Sequence, residues 1–568
     1  MKNIISIIII YFLTLTLSGQ TVKDSVSTEV INVVTSYKPT ISDAFKAKEN
    51  PVIKTTTRDK NSLEYSIKSS PIRSVFTPNP GGYKAAKTIK KDDAYPDYLK
   101  VGYGNYGTPL IESFTHATKE EHEAHFFLYN KASNGGIKGI SLDDNYLNTK
   151  MELNYKNTQN THTWETTLGY HRDLYNWYGI PSEYDQVVLD QIDEEQIYNR
   201  IFLKGKLNIH SGSLKTIEAS FSNFSDAFGS KETTIKMSPS FEFPLQKNKI
   251  ITTFNLDILN GKFDQQYNSL ESINYGFVTF GTQAFYPIQR EDLYVSLGMK
   301  LIFNADLENK NNSFLIYPDV NIDYVIIDEL LNVYGEFTGG LTQNSYNTIA
   351  SQNSFVSPTL TIKPTSNSYN ISAGLKGKIT TTISYDVKAS YLKEKDKLLF
   401  RLNNNLTDGT NVVTNGYQAG NSFYSLYDNV NTFKLFGELK ASLTKDIESG
   451  ASLTINSYSM KNEAEAWNLP PFVANIFGTF QHNKWSGKAE LFTKGKRKDL
   501  MIQQDNSEIP VFLDAYADMN ISVNYAFNKK WSAFLDLNNL FNKNYEVYSN
   551  YQVQGFQILG GFIYRFDL

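Results

Sequence analysis

The stretch Val101–Leu110, "VGYGNYGTPL", puts Gly102, Gly104 and Gly107 in the G-x-G-x-x-G spacing of a dinucleotide-binding turn. That spacing holds a pyrophosphate only when a helix comes next and aims its N-terminus at the phosphates. The next residues are "TPLIESFTHA" (Thr108–Ala117), where Leu110, Glu112 and Phe114 alternate with Ile111, Ser113 and Thr115. A period of two is a strand, and Leu99, Val101 and Tyr103 alternate the same way upstream. The glycines therefore belong to a hairpin with no cofactor to hold, and the fold reads as all-β.

The same device recurs to the end of the chain. In Thr149–Asn157, Met151, Leu153 and Tyr155 alternate with Lys150, Glu152, Asn154 and Lys156. In Ile201–Ile209, Ile201, Leu203, Gly205, Leu207 and Ile209 alternate with Phe202, Lys204, Lys206 and Asn208. In Phe433–Leu443, Leu435, Gly437, Leu439 and Ala441 oppose Lys434, Glu438, Lys440 and Ser442. Each segment has one greasy face and one charged face. A soluble sandwich would alternate too, so the connections decide. Phe527–Ser532, Gln481–Ser486 and Leu443–Glu448 read as tight turns, whereas Lys494–Pro510, Ser459–Pro471 and Lys393–Asn421 read as long polar loops. Short turns on one side and long loops on the other predict a transmembrane antiparallel β-barrel of the outer-membrane type, with periplasmic turns, extracellular loops and about 22 strands within a range of roughly 18 to 24. A lumen of that size is usually plugged in natural barrels.

Composition agrees. The chain has 37 Tyr and 36 Phe but 5 Trp, and aromatic girdles at both membrane interfaces around a polar lumen account for many aromatics with negative mean hydropathy. A net charge of −4 argues against nucleic acid as a partner. Residues 1–20 read as a signal peptide, with Lys2 ahead of the apolar run Ile4–Leu17 and then Ser18, Gly19 and Gln20. With no cysteine, disulfides, a lipid-modified start and thiolate metal sites are excluded. After the signal, no apolar run is long enough for a membrane helix.

The C-terminal stretch Phe534–Leu568, "FLDLNNLFNKNYEVYSNYQVQGFQILGGFIYRFDL", resembles the end of TonB-dependent outer-membrane receptors. Asn539–Tyr545 match the family's "NLFNKxY" strand end, and Leu559–Phe566 match its final strand, which runs from Leu-Gly to Tyr-Arg-Phe. Alternation sends Phe556, Ile558, Gly560, Phe562, Tyr564 and Phe566 toward lipid, and Gln557, Arg565 and Asp567 toward the lumen. Weaker echoes lie in Ala466–Phe480 and in the first hairpin, so the resemblance covers roughly residues 98 to 568. It implies an outer-membrane receptor of a Gram-negative cell that takes up a scarce ligand, energised by TonB or another periplasmic protein that displaces a plug.

The barrel is expected over 97–568, which leaves residues 21–96 ahead of it, shorter than the family's plug domain. That segment carries six of the 17 prolines, 13 basic residues and 8 acidic ones. It reads as a basic, extended piece that either threads into the lumen or trails in the periplasm. Within it Ser27–Pro39 has a likeness to a TonB box, since Glu29, Val30, Val33 and Val34 could pair as an added strand with an energising partner.

Catalytic and ligand constellations are sparse. His122 and His125 of "HEAH", near His116, could be drawn as a metal cluster, but a spacing of three puts them on opposite faces of a strand, and a solvated polar turn is the better reading. The acids Glu183, Asp185, Asp190, Asp193, Glu194 and Glu195 fall in an expected loop, Asp173–Glu195, without the glycine-broken spacing of a calcium loop. No nucleophile elbow or phosphate loop is present. The expectation is no enzyme, no metal and no cofactor. Loop aromatics Tyr175, Trp177, Tyr178, Trp467, Tyr548 and Tyr551 could stack on a ligand ring, or belong to the outer girdle. Uptake of a scarce ligand is thus the first expectation. A plugless barrel serving as a structural or assembly component, with loops docking other outer-membrane or surface proteins, is the second, and a passive porin the third.

Overall fold

The computed structural model describes residues 97–566, apart from 181–183, 247, 408, 412 and 503–506. The signal peptide, the proline-rich segment 21–96 and the TonB-box-like residues Glu29, Val30, Val33 and Val34 lie outside the described residues. Twenty-two strands form one antiparallel sheet, closed by pairing of the first strand, Asp97–Gly104, with the last, Gln557–Phe566. The first strand also pairs the second, Thr108–Lys119, across the tight turn Asn105–Gly107. The opening glycines thus sit on the closing seam. A Cβ on Gly102 would stand 2.6 Å from the Phe534 ring, and one on Gly104 would stand 2.6 Å from the Ile558 carbonyl oxygen. Their spacing answers to strand approach and not to a phosphate.

Register keeps every strand's greasy face in line. Val101 lies opposite Phe562, Leu153 opposite Leu168, and Leu168 opposite Leu203. These side chains are exposed on the outer wall, where acyl chains lie. The inner wall is wet, and its charges pair across strands: Lys206 with Glu218 (2.7 Å) and Lys236 with Asp257 (2.7 Å) between neighbours, and Lys100 with Asp536 (3.6 Å) over the last strand that lies between theirs. Pairing of this kind lowers the cost of lining a lumen with charge but adds little stability where water still reaches.

At one end the connections are two to four residues long throughout, as in Glu120–Glu121 and 445–446. At the other they run to 22 residues, though Asn105–Gly107, 227–230 and 307–310 are short. Trp164, Trp485 and Trp531 stand half-exposed at the short-turn ends of their strands, against Tyr155, Tyr525 and Tyr564 at ring distances of 5.0, 4.6 and 4.8 Å. They form the periplasmic girdle.

Several expected boundaries need correction. The segments Lys393–Asn421 and Asp173–Glu195 begin inside strands, Ile383–Leu402 and His162–Asn176. Past the lipid belt the period of two breaks, with Lys393–Lys397 polar on both faces and Leu398, Leu399 and Phe400 apolar in a row, so the alternation that marks a strand fades before the strand ends. The loop read at Lys494–Pro510 carries its own hairpin, Arg497–Ile502 with Glu508–Leu513. The polar turn expected around His122 is strand His122–Ser133, the turn being Glu120–Glu121, because Lys119 pairs directly with His122.

Candidate functional site: the cap over the barrel mouth

At the long-loop end one buried apolar cluster joins five loops, 134–145, 177–194, 343–364, 403–422 and 539–556, to the strands beneath them. Loop 343–364 leaves the thirteenth and fourteenth strands, Leu331–Thr342 and Thr365–Lys378. Ser345 starts a short helix, Tyr346–Gln352, with a capping box to Thr348. Tyr346, Ile349 and Ala350 form the helix's buried face. The Tyr346 ring lies 5.1 Å from Phe224, 4.9 Å from Phe263 and 6.0 Å from Tyr198, all on strands of the wall four to seven positions back around the barrel from the thirteenth. The loop therefore reaches inward across the mouth and does not stand up from its own strands.

Polar contacts fix it there. Glu232 accepts the backbone N–H groups of Tyr346 (2.5 Å) and Asn347 (3.1 Å) and the hydroxyl of Tyr275 (2.9 Å). Asp226 accepts the Tyr346 hydroxyl (2.7 Å), and the Tyr198 hydroxyl donates to the Ser354 carbonyl (2.9 Å). Three further loops meet it over the mouth. Phe355 stacks on Tyr551 at 3.7 Å, and Tyr178 meets Tyr551 edge-on at 4.8 Å. Asn403 donates to Ser357 (3.1 Å), Asn421 to the Trp177 carbonyl (2.6 Å) and the Tyr551 hydroxyl to the Asn421 carbonyl. In loop 134–145 burial pushes the Asp144 carboxyl up to about 8, and in loop 177–194 it pushes Glu194 up to about 7.

The loop aromatics of the sequence fall as follows. Tyr178 and Tyr551 are buried in this cluster, with Tyr175 and Tyr548 packed against it. Trp177 is buried beside Tyr417 and Phe228. Trp467 is buried apart from them, its indole N–H donating to Glu463 (2.7 Å). Trp177, Tyr178, Tyr548 and Tyr551 tie loops to one another and to the strands beneath them. The high Tyr and Phe content is accordingly shared between the lipid interface and this cap. The acids of loop 177–194 do not converge, with Glu183 outside the described residues, and among the described residues no group of His, Asp or Glu has the geometry of a metal site. His116 and His125 share the inner wall, His116 bonded to Asp97 (2.8 Å), while His122 bonds Tyr155 (2.6 Å) on the other face. Sequence reasoning missed Asp226, Glu232, Tyr346 and Phe355. The "SYNT" start of the helix was the available signal, masked by the polar length of its loop.

A closed 22-stranded barrel with charge inside, lipid outside and long loops at one end defines an outer-membrane receptor-type barrel. Residues 82–540 match the family described as TonB dependent receptor-like, beta-barrel, and the chain belongs to that family. Its members are receptors and transporters that sit in outer-membrane lipid and interact with TonB, and this chain is an outer-membrane protein. No curated protein matches. Among solved structures, the FrpB iron transporter from Neisseria meningitidis is similar, with TM-score 0.63 at 9% identity over 84% of this chain and 82% of that one. The pyoverdine receptor FpvA from Pseudomonas aeruginosa gives 0.62 at 10% over 84% and 79%. The siderophore receptor PirA from Acinetobacter baumannii gives 0.61 at 11% over 83% and 80%. Identities this low carry the fold alone.

Proposed function

We propose that this barrel takes up a scarce ligand across the outer membrane through a mouth that its own loops hold shut, with TonB or another periplasmic energising protein driving the cycle. The cap is the observation that carries the reading. Loop 343–364 alone buries Tyr346, Ile349, Val356, Leu360 and Ile362, and exposing those five side chains costs roughly 8 to 15 kcal/mol gross. The freed loop regains backbone entropy of about 1–2 kcal/mol per residue, which offsets much of that gross burial, and the hydrogen bonds of Glu232, Asp226 and Tyr198 complete the hold. A mouth held shut in this way suits a gated carrier and not a passive porin. Similar solved structures include a siderophore receptor and an iron transporter, which supports a scarce nutrient as the class of ligand.

A second reading has its own support. Val187, Leu270 and Leu406, on three loops at this end, are 69%, 84% and 45% exposed, and such apolar tips suit a barrel that docks partner proteins at the cell surface. The test compares growth on limiting nutrients and whole-cell uptake in strains with and without this chain and TonB, alongside a mild-detergent pull-down. TonB-dependent uptake supports the first reading. A stoichiometric outer-membrane partner without uptake supports the second, and steady conductance of the intact protein in planar bilayers would sink both.

A further inference from the structure

We propose that the outer face of four adjacent strands binds the head group of a phosphorylated glycolipid of the outer leaflet, at a cluster formed by Lys363, Lys393, Lys395 and Lys461. The fifteenth strand, Ile383–Leu402, lies between the fourteenth, Thr365–Lys378, and the sixteenth, Phe423–Thr444, and the seventeenth, Ile447–Met460, follows. On the fifteenth, alternation sends Ile383, Tyr385, Val387, Ala389 and Tyr391 toward lipid, and then Lys393 and Lys395. Ten residues on from Ile383, Lys393 stands about 33 Å along the strand and, at the usual tilt, about 25 Å higher, which is the height of the apolar band. Lys393 therefore lies where acyl chains give way to head groups.

Register carries the cluster sideways. Tyr369 of the fourteenth strand pairs with Lys393, whose ammonium lies 5.9 Å over the Tyr369 ring, and that ring stacks on Tyr391 at 6.4 Å. Asn431 and Ser459 continue the row, and Lys461 follows one outward step above Ser459. On the other side Lys363 lies 5.9 Å over Tyr427, whose hydroxyl accepts the Lys363 N–H (3.1 Å). All four lysines are exposed. Two strand spacings, about 10 Å, separate the fifteenth strand from the seventeenth, enough to bracket a disaccharide head group.

Charge separates this face from the lumen behind it. The inner-wall lysines of the same strands are neutralised, Lys388 by Glu336 (3.7 Å) and Lys397 by Glu394 (2.5 Å). Among the described residues the four outer lysines have no ion-pair partner, and the outward positions of these strands carry no acid. Asp396, exposed at the bulge beyond Lys395, sets one carboxylate against four ammoniums. Like charges gathered at a low-dielectric boundary repel, and an anion supplied by the leaflet removes that repulsion. Phosphate fits because its oxygens accept from several ammoniums at once, above tyrosines that mark the edge of the apolar band.

The full chain, purified in mild detergent and freed of lipid, is titrated with lipid A carrying both its phosphates, with the dephosphorylated form and with phosphatidylglycerol, and adducts are read by native mass spectrometry. Heat-modifiable electrophoretic mobility verifies that each variant is folded. One equivalent of lipid A should bind, and Lys393→Gln/Lys395→Gln/Lys461→Gln should weaken it roughly tenfold or more, while arginine at the same three positions keeps it. Lys231→Gln/Lys262→Gln is the control: these two face each other on the outer wall, where Asp264 already neutralises Lys262 (2.8 Å), and their loss should change nothing. Equal weakening by both sets would reduce the effect to overall charge and overturn the proposal. So would binding that ignores removal of the phosphates, phosphatidylglycerol competing as well as lipid A, or a folded triple variant that binds like the native chain.

Discussion

Alanine at Gly561 is expected to break the closing seam, while alanine at its neighbour Gly560 is expected to be harmless. A Cβ on Gly561 would stand 2.0 Å from the Val101 carbonyl oxygen, 2.6 Å from the Gly102 Cα and 2.7 Å from the Phe534 ring. Two of those three neighbours are backbone, which has no rotamer to escape into, so the first and last strands must separate by roughly 1 Å or more to restore ordinary contact. Over-packing of this kind costs about 1–3 kcal/mol, and two stretched ladder bonds add about 0.5–1.5 kcal/mol each, for a total of roughly 2–6 kcal/mol. At Gly560 the nearest atoms lie at 3.6 Å, on the lipid side. Removing a strand glycine there should be neutral or stabilise by roughly 0.5–1 kcal/mol. Urea midpoints of the refolded variants in micelles, read by heat-modifiable mobility, measure both. Equal midpoints, or the reverse order, would show that the seam does not demand its glycine.

The cap, the girdle and the buried acids each carry a further expectation. Tyr551→Ala should loosen the cap by about 3–5 kcal/mol without unfolding the barrel, so loop proteolysis on whole cells should rise while heat-modifiable mobility stays; Tyr551→Phe loses one hydrogen bond, about 1 kcal/mol. Shallow brominated lipids should quench Trp164, Trp485 and Trp531 and spare Trp177 and Trp467, measured on single-tryptophan variants; uniform quenching would refute the division between girdle and cap. Asp144 keeps its proton in the folded state up to about 8, against about 3.9 unfolded. Its contribution is thus full below the unfolded value and lost as pH rises through the folded one. Hydrogen exchange in 134–145, corrected for intrinsic rate, should be better protected at about pH 5 than at about pH 8.5, and Asp144→Asn should remove that difference.

The sequence by itself determined the barrel. Alternation such as Ile201 to Ile209, tight turns such as that before Trp531, and the closing strand Leu559–Phe566 are local signals, because each strand's lipid face is set by every second residue of that strand. The two faces of the last strand are legible for that reason, and its Phe562 lies opposite Val101 with both side chains on the outer wall. The cap was not legible. Tyr551, Tyr178 and the pair Phe355 and Tyr346 lie in three separate polar loops, up to 373 positions apart in the chain, and meet only after the barrel closes and brings the loops around one mouth. Nor could Asp226 and Glu232 be told from any other wall carboxylate, since what sets them apart is a helix arriving from strands five to seven places away. Periodicity records what each strand does with its own two faces. Which loops converge, and on which wall, depends on the circumference and closure of the whole sheet, which belong to no local stretch.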